Sequence, residues 1–253
     1  MSQLFGGDVE NLGVEKKMLT GSSSIENTSG FCISKSMMKK NDLPANARAF
    51  TFAAKLDIMP PKKILVVDNY DSFTYNLVNI LRKSKQHTFE VQYADKIDIA
   101  SAAAFDLFLF SPGPDVPHDQ SAMERLLETY GSTKSFLGIC LGFQAIAQYF
   151  GAKLMNMHQV YHGQECIVSI LDRREYLFSG LGHTFQAGLY HSWAVMEQGF
   201  PHNLIKTAVS ADGILMGLRH KIFDIHGVQF HPESIMTPQG EKMIFNWLDK
   251  SVV

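Results

Sequence analysis

Two short stretches hold residues whose types and spacing can do chemistry. In "LGICLGFQ" (Leu137 to Gln144) a cysteine, Cys140, stands between Gly138 and Gly142, where an apolar run gives way to a helical pattern. This is the sulfur counterpart of G-x-S-x-G, in which a sharp strand-to-helix turn needs small neighbours and holds the nucleophile out. The free N–H groups and positive partial charge of a helix start favour a thiolate and can hold a developing oxyanion. A buried, inert thiol is the alternative, since free cysteine is among the most buried residue types. In "GVQFHPES" (Gly227 to Ser234) an apolar strand runs into His231, Pro232 and Glu233. A histidine there can take a thiol proton and return it to a leaving group, and a carboxylate two residues on can fix its tautomer. A chance surface His and Glu is the alternative, since the chain has 10 histidines. A third stretch, "SPGPD" (Ser111 to Asp115), ends another apolar run. Its prolines and Gly113 make a rigid turn whose N–H groups can face a ligand.

The elements that position these residues follow from the hydrophobic pattern. "KILVVD" (Lys63 to Asp68) is a continuous apolar run, as expected of a strand covered on both faces. A helix is predicted over "SFTYNLVNILRK", with Phe73, Leu77, Ile80 and Leu81 on its apolar face and Ser72 or Asp71 as cap. "FEVQYA", "FDLFLFSPGP" and "SFLGIC" read as further strands, and "DQSAMERLLETYG" and "GFQAIAQYFG" as helices. This alternation predicts an α/β fold: an open, mostly parallel sheet with helices on both faces. Catalytic groups belong at the carboxyl ends of such strands, which puts Cys140 and the "SPGPD" loop on one edge. After Gly151 come the β-like runs "ECIVSI", "FQAGLYHSWAV", "LIKTAVSADG", "ILMGLRH" and "IHGVQF", expected as antiparallel additions along one edge in the C-terminal half. A final helix is predicted from "TPQGEKMIFNWLDK", with Thr237 as cap, Pro238 at the first position, and Met243, Ile244, Trp247 and Leu248 facing the core.

The chain has 253 residues, 45% of them hydrophobic, and a net charge of −2. Charge this close to balance gives no electrostatic reason to expect nucleic acid or a membrane as partner. No apolar run reaches the roughly 20 residues of a membrane helix. Three cysteines, Cys32, Cys140 and Cys166, do not make a disulfide framework and fit a reducing, cytoplasmic setting. Cys32 and Cys166 have no chemical context. Residues 1–58 are polar, lack a sustained period and are expected to be a disordered extension outside the fold. An organelle transit segment is the alternative, although Asp8, Glu10 and Glu15 argue against it. "MPPKKILVVD" at Met59 reads as a natural start of a single domain over 59–253.

Taken together, these stretches resemble the class I glutamine amidotransferases, over Ile64 to about Trp247. The resemblance is strongest to the glutaminase subunits of anthranilate synthase and aminodeoxychorismate synthase. The motifs that carry it are "DNYDSFTYNL", "SPGP", "LGICLGFQAIA", "YHG", "YHSW", "MGLRH" and "GVQFHPESIMT". The resemblance implies a Cys140–His231–Glu233 triad acting on the side-chain amide of glutamine. It also implies backbone oxyanion donors at Gly113 and Leu141, a glutamine pocket that includes Pro114, Asp115 and Gln144, and Ser192 and Trp193 at the amino-acid end of the substrate. No metal or organic cofactor is implied in this chain. Ammonia would pass to a chorismate-binding, Mg²⁺-dependent synthase large subunit, in a heterodimer or heterotetramer. The pathway implied is tryptophan biosynthesis, with p-aminobenzoate and folate biosynthesis, or a subunit shared by both, as the alternative. A non-catalytic stabilising subunit is a third reading. Asp115 stands where the family usually has glycine, Phe143 where His or Met is common, Gln164 where lysine is frequent and Leu189 where arginine is frequent.

Overall fold

The structure, a computed structural model, describes residues 60–157 and 160–251. The expectations for residues 1–58, Met59 and Cys32 lie outside the described residues.

The first strand, β1 (Lys63–Asp68), is buried on both sides, and its side chains alternate between two cores. Ile64 and Val66 face a core completed by Leu77, Ile80 and Leu81 of α1 (Thr74–Lys83) and by Met243, Ile244 and Trp247 of α4 (Gly240–Lys250). Leu65 and Val67 face the opposite core, with Met123 and Leu126 of α2 (Ala122–Tyr130) and Phe143 and Ile146 of α3 (Leu141–Tyr149). Each fully buried aliphatic side chain contributes about 1.5–3 kcal/mol, so both faces must be covered.

Among the described residues, β1 belongs to a nine-stranded sheet. Its parallel part contains β2 (Thr88–Tyr93), β1, β3 (Leu107–Phe110), β4 (Ser135–Ile139) and β11 (Ile225–Val228), in that order. The antiparallel part continues through β10 (Leu215–His220), β9 (Leu204–Ser210), β6 (Gln164–Ile170) and β7 (Thr184–Leu189). A small separate sheet pairs β5 (Leu154–Asn156) with β8 (Trp193–Val195). The α/β architecture, the parallel core and the antiparallel additions agree with the sequence.

Four local expectations need correction. "IHGVQF" is not an edge hairpin: β11 lies between β4, to which it is parallel, and β10, to which it is antiparallel. "FQAGLYHSWAV" is two strands in two sheets, broken at Tyr190–Ser192. Phe73 leaves the core face of α1, because Asp71 Oδ1 accepts the Phe73 N–H at 2.7 Å in a local turn and the helix begins one residue later. Thr237 does not cap α4, which starts at Gly240; its hydroxyl accepts the Gly188 N–H at 3.0 Å and donates to the His231 carbonyl at 2.7 Å. The predicted α4 face is buried as expected.

The opposite ends of the strands carry two buried charged groups that the sequence did not announce. Lys62 donates through Nζ to the carbonyls of Leu248 and Ser251, at 2.8 and 2.9 Å, at the end of α4. A cation at a helix C-terminus satisfies carbonyls that have no helical partner. His226, on β11, lies between Glu175 Oε2 at 2.9 Å and Asp224 Oδ1 at 2.8 Å. Burial alone would lower the His226 pKa, but the two carboxylates hold it at about 9. The unfolded histidine titrates near 6.5. The stabilisation from this charged group is therefore complete below about pH 6.5 and is lost as pH rises through about 9. Thermal melts between pH 6 and pH 9.5 are expected to show the loss, and His226→Gln should flatten that part of the profile.

Candidate active site

The parallel pairing of β4 with β11 sets Ile139 beside Val228, so the two strands end together. Cys140 follows β4 directly, and its N–H donates to the Val228 carbonyl at 2.9 Å. His231 lies three residues beyond the end of β11. Residues 89 positions apart in sequence, Cys140 and Gln229, are thereby brought into side-chain contact.

Cys140 has φ 52 and ψ −100 at the start of α3. A non-glycine residue in such a conformation is strained by about 1–3 kcal/mol and persists only where its surroundings enforce it. They do so here by close approach. A Cβ built on Gly138 would lie 2.4 Å from the Gly142 carbonyl, and one on Gly142 would lie 2.6 Å from Phe110 Cβ. A Cβ on Gly113 would lie 2.4 Å from Leu141 Cδ2, so that glycine lets the "SPGPD" loop close against the elbow.

His231 is buried, and its ring packs edge-on against Phe73 and Tyr190, with centroids 5.2 and 4.9 Å away, the three rings forming a mutually touching cluster. Its Nδ1 is 2.7 Å from Glu233 Oε1, and its backbone is pinned by the Gly188 and Thr237 bonds. Burial would lower the His231 pKa, but the Glu233 carboxylate and then the Cys140 sulfur overcome this and hold it well above 6.5. The Nε2 atom makes no hydrogen bond of good geometry. The Cys140 sulfur still contributes to the raised pKa of the ring. A thiol beside an imidazole that keeps its charge at neutral pH is arranged for nucleophilic attack followed by proton return to the leaving group.

A cavity of about 140 Å³ opens over the sulfur. Gly113, Pro114, Asp115, Leu141, Gln144, Ser192 and Trp193, all singled out in the sequence, line it together with Cys140. Asp115 has φ 64, a conformation that glycine adopts freely, and also borders a neighbouring cavity of about 420 Å³. Gln144 is buried and donates through Nε2 to the Trp193 carbonyl at 3.0 Å and to Gln229 Oε1 at 3.1 Å.

Three residues at the site lie inside quoted motifs but had been given no part in it. Tyr190 and His191 line the cavity, and Gln229 donates from Nε2 to Cys140 Sγ at 3.6 Å. His191 donates from Nδ1 to the Trp193 carbonyl, 2.9 Å away. Burial, despite that bond and with a smaller contribution from the charge on His231, pushes its pKa down to about 4, so it is neutral at pH 7. Cys166 lies elsewhere, on β6, and burial raises its pKa to about 11.

Comparison with known proteins shows the family. The family model for class-I glutamine amidotransferases matches residues 65–251. The chain belongs to the class-I glutamine amidotransferase family. A Haemophilus influenzae relative, provisionally named anthranilate synthase component II, is 40% identical over 186 residues, covering 74% of this chain and 95% of its own. The aminodeoxychorismate synthase component 2 of Klebsiella aerogenes is 36% identical, covering 74% of this chain and 100% of its own. A crystal structure from Thermoplasma acidophilum, provisionally named as one subunit of GMP synthase, superposes with a TM-score of 0.66 at 26% identity, covering 75% of this chain and 93% of its own.

Two outcomes follow from the amidotransferase geometry. Gly142→Ala should cost about 1–3 kcal/mol of stability, because its methyl group must displace Phe110 or the elbow; denaturant melts measure this. Glu233→Gln removes the charge that offsets burial, so the His231 pKa should fall. Imidazole NMR titration of the variant against the parent chain checks the direction.

Proposed function

We propose that this amidotransferase is the glutaminase subunit of an anthranilate synthase. Cys140 attacks the side-chain amide carbon of glutamine. The N–H groups of Gly113 and Leu141 receive the oxyanion, and protonated His231, held by Glu233, gives its proton to the departing ammonia. Water, deprotonated by His231, then attacks the thioester, releasing glutamate and restoring the thiol. Gln144, Ser192 and Trp193 hold the amino-acid end of the substrate, with Pro114 and Asp115 closing the pocket. Thiol and imidazole suffice for this hydrolysis, so the reading assigns no cofactor to the chain.

The observation that carries this reading is the convergence of Cys140, the His231–Glu233 pair and the cavity residues on one sheet edge. The names of the relatives support the pathway. We assign the ammonia to a chorismate-binding, Mg²⁺-dependent large subunit, reached through an internal channel in a heterodimer or heterotetramer. A further cavity, of about 610 Å³, lies beside Glu233 and is bordered by Ile235, which is 94% exposed. The reading puts the contact with the large subunit at this cavity, two residues from the triad. Among the described residues no helix is long and apolar enough to cross a membrane, and the reading places the complex in the cytoplasm. The Klebsiella relative favours a second reading, delivery of ammonia to an aminodeoxychorismate synthase.

The test mixes the purified chain with an anthranilate synthase large subunit, chorismate, Mg²⁺ and glutamine, and follows anthranilate fluorescence. A glutamine-dependent signal is expected, and Cys140→Ser should reduce it by at least about a thousandfold. A large subunit that works with free ammonia but not with this chain would transfer the reading to the aminodeoxychorismate partner. Substantial turnover by Cys140→Ser would remove the nucleophile assignment.

A further inference from the structure

Gln229 is fully buried, sits two residues before His231, and takes no part in the mechanism above. Its side chain lies in a hydrogen-bonded series with a fixed direction. The series begins at the Trp193 carbonyl, which can only accept. It accepts from Gln144 Nε2, so the amide of Gln144 must present its nitrogen on that side. The same nitrogen reaches Gln229 Oε1 at 3.1 Å, which commits both Gln144 hydrogens and fixes the Gln229 amide in turn. The Gln229 nitrogen is left facing Cys140 Sγ, 3.6 Å away, with a hydrogen to donate. Reversing Gln144 would set its oxygen against the Trp193 carbonyl and Gln229 Oε1, and reversing Gln229 alone would set its nitrogen against the Gln144 nitrogen, donor against donor. The sulfur is thus required to be an acceptor.

From this geometry we infer that Gln229 is a positioning residue for the nucleophile: its amide holds Sγ at the elbow and favours the thiolate over the thiol. The inference rests on the reading of Cys140 as nucleophile and extends it. A hydrogen bond to a charged acceptor is stronger than one to a neutral acceptor, so the bond from Gln229 strengthens when the proton leaves. The other groups around the sulfur are the His231–Glu233 pair beyond β11, His191 and Tyr190 after β7, and Asp115 on the loop after β3. Imidazolium at His231 also favours thiolate, Asp115 opposes it, and neutral His191 and Tyr190 are indifferent to its charge. Gln229 differs from His231 in donating without titrating, so its contribution is the same at every pH. The other end of the series touches the residue that binds glutamine. Gln144 lines the cavity, and Gln229 accepts one of the two hydrogens of its amide.

The test is the pH dependence of alkylation by iodoacetamide, with labelling of Cys140 followed by peptide mass spectrometry on the full chain. Gln229→Met keeps the length of the side chain and removes the donor. Gln229→Glu keeps the shape and puts a carboxylate against the sulfur. The Cys140 alkylation curve is expected to move to higher pH by about one unit in Gln229→Met and further in Gln229→Glu. The rate at pH 7 should fall about fivefold to tenfold, with little change in Cys166, which burial keeps protonated. Circular dichroism melts establish that each variant is folded, and the methionine variant carries the test if the glutamate variant is not. A folded Gln229→Met chain with an unshifted curve overturns the inference and leaves the nucleophile intact. A parent chain in which Cys140 reacts no faster than Cys166 overturns both.

Discussion

The site depends on one backbone pairing, that of β4 with β11. These strands are far apart in sequence and run side by side in parallel, with Ile139 opposite Val228. The bond from the Cys140 N–H to the Val228 carbonyl ends the shared ladder. Beyond it the chains diverge, one turning into α3 and the other running on to His231. A slip of one residue would turn each strand's side chains to the opposite face and separate the sulfur from the imidazole. Parallel pairs of this kind are found almost only when buried on both sides, which is why a core and its helices lie on each face.

The second constraint is steric. Cys140 keeps a backbone conformation that a free chain avoids, and the glycines at 138, 142 and 113 admit the contacts that hold it there. These glycines are therefore not sites of flexibility: each marks a place where two segments touch at a distance that no side chain allows. The elbow is consequently rigid, and the polar groups around it are arranged in advance of the reaction. The buried His231–Glu233 pair, the neutral His191 and the series from Trp193 to Gln229 are each oriented by hydrogen bonds within the chain.

The parts of this arrangement legible in the sequence were those encoded locally. β1 could be read because its apolar run is continuous, and the elbow because its glycines flank the cysteine at fixed spacing. The cavity residues could be named through family motifs. What escaped was decided by contacts between distant segments. Thr237 looks like a helix cap, but β7 offers its hydroxyl a buried N–H, and that bond takes precedence. Phe73 fits the apolar stripe of α1, yet it packs on the His231 ring. Gln229 and His191 were quoted within motifs, but their side-chain directions depend on Cys140 and Trp193, which only the fold brings near. "IHGVQF" has the composition of a central strand as much as of an edge hairpin, and its neighbour β4 is 89 residues away between Phe136 and Ile225.

The clasp made by Lys62 has a consequence for how this fold opens. Chain ends are ordinarily the first regions to fray and to exchange their amide hydrogens. Here the residue leading into the first strand is bonded to the last turn of the final helix. Undoing either end would strand a buried ammonium beside carbonyls that have lost their partner. β1 and the end of α4 therefore exchange with solvent as one cooperative unit, and the domain behaves towards local unfolding more like a closed ring than like a chain with two loose ends.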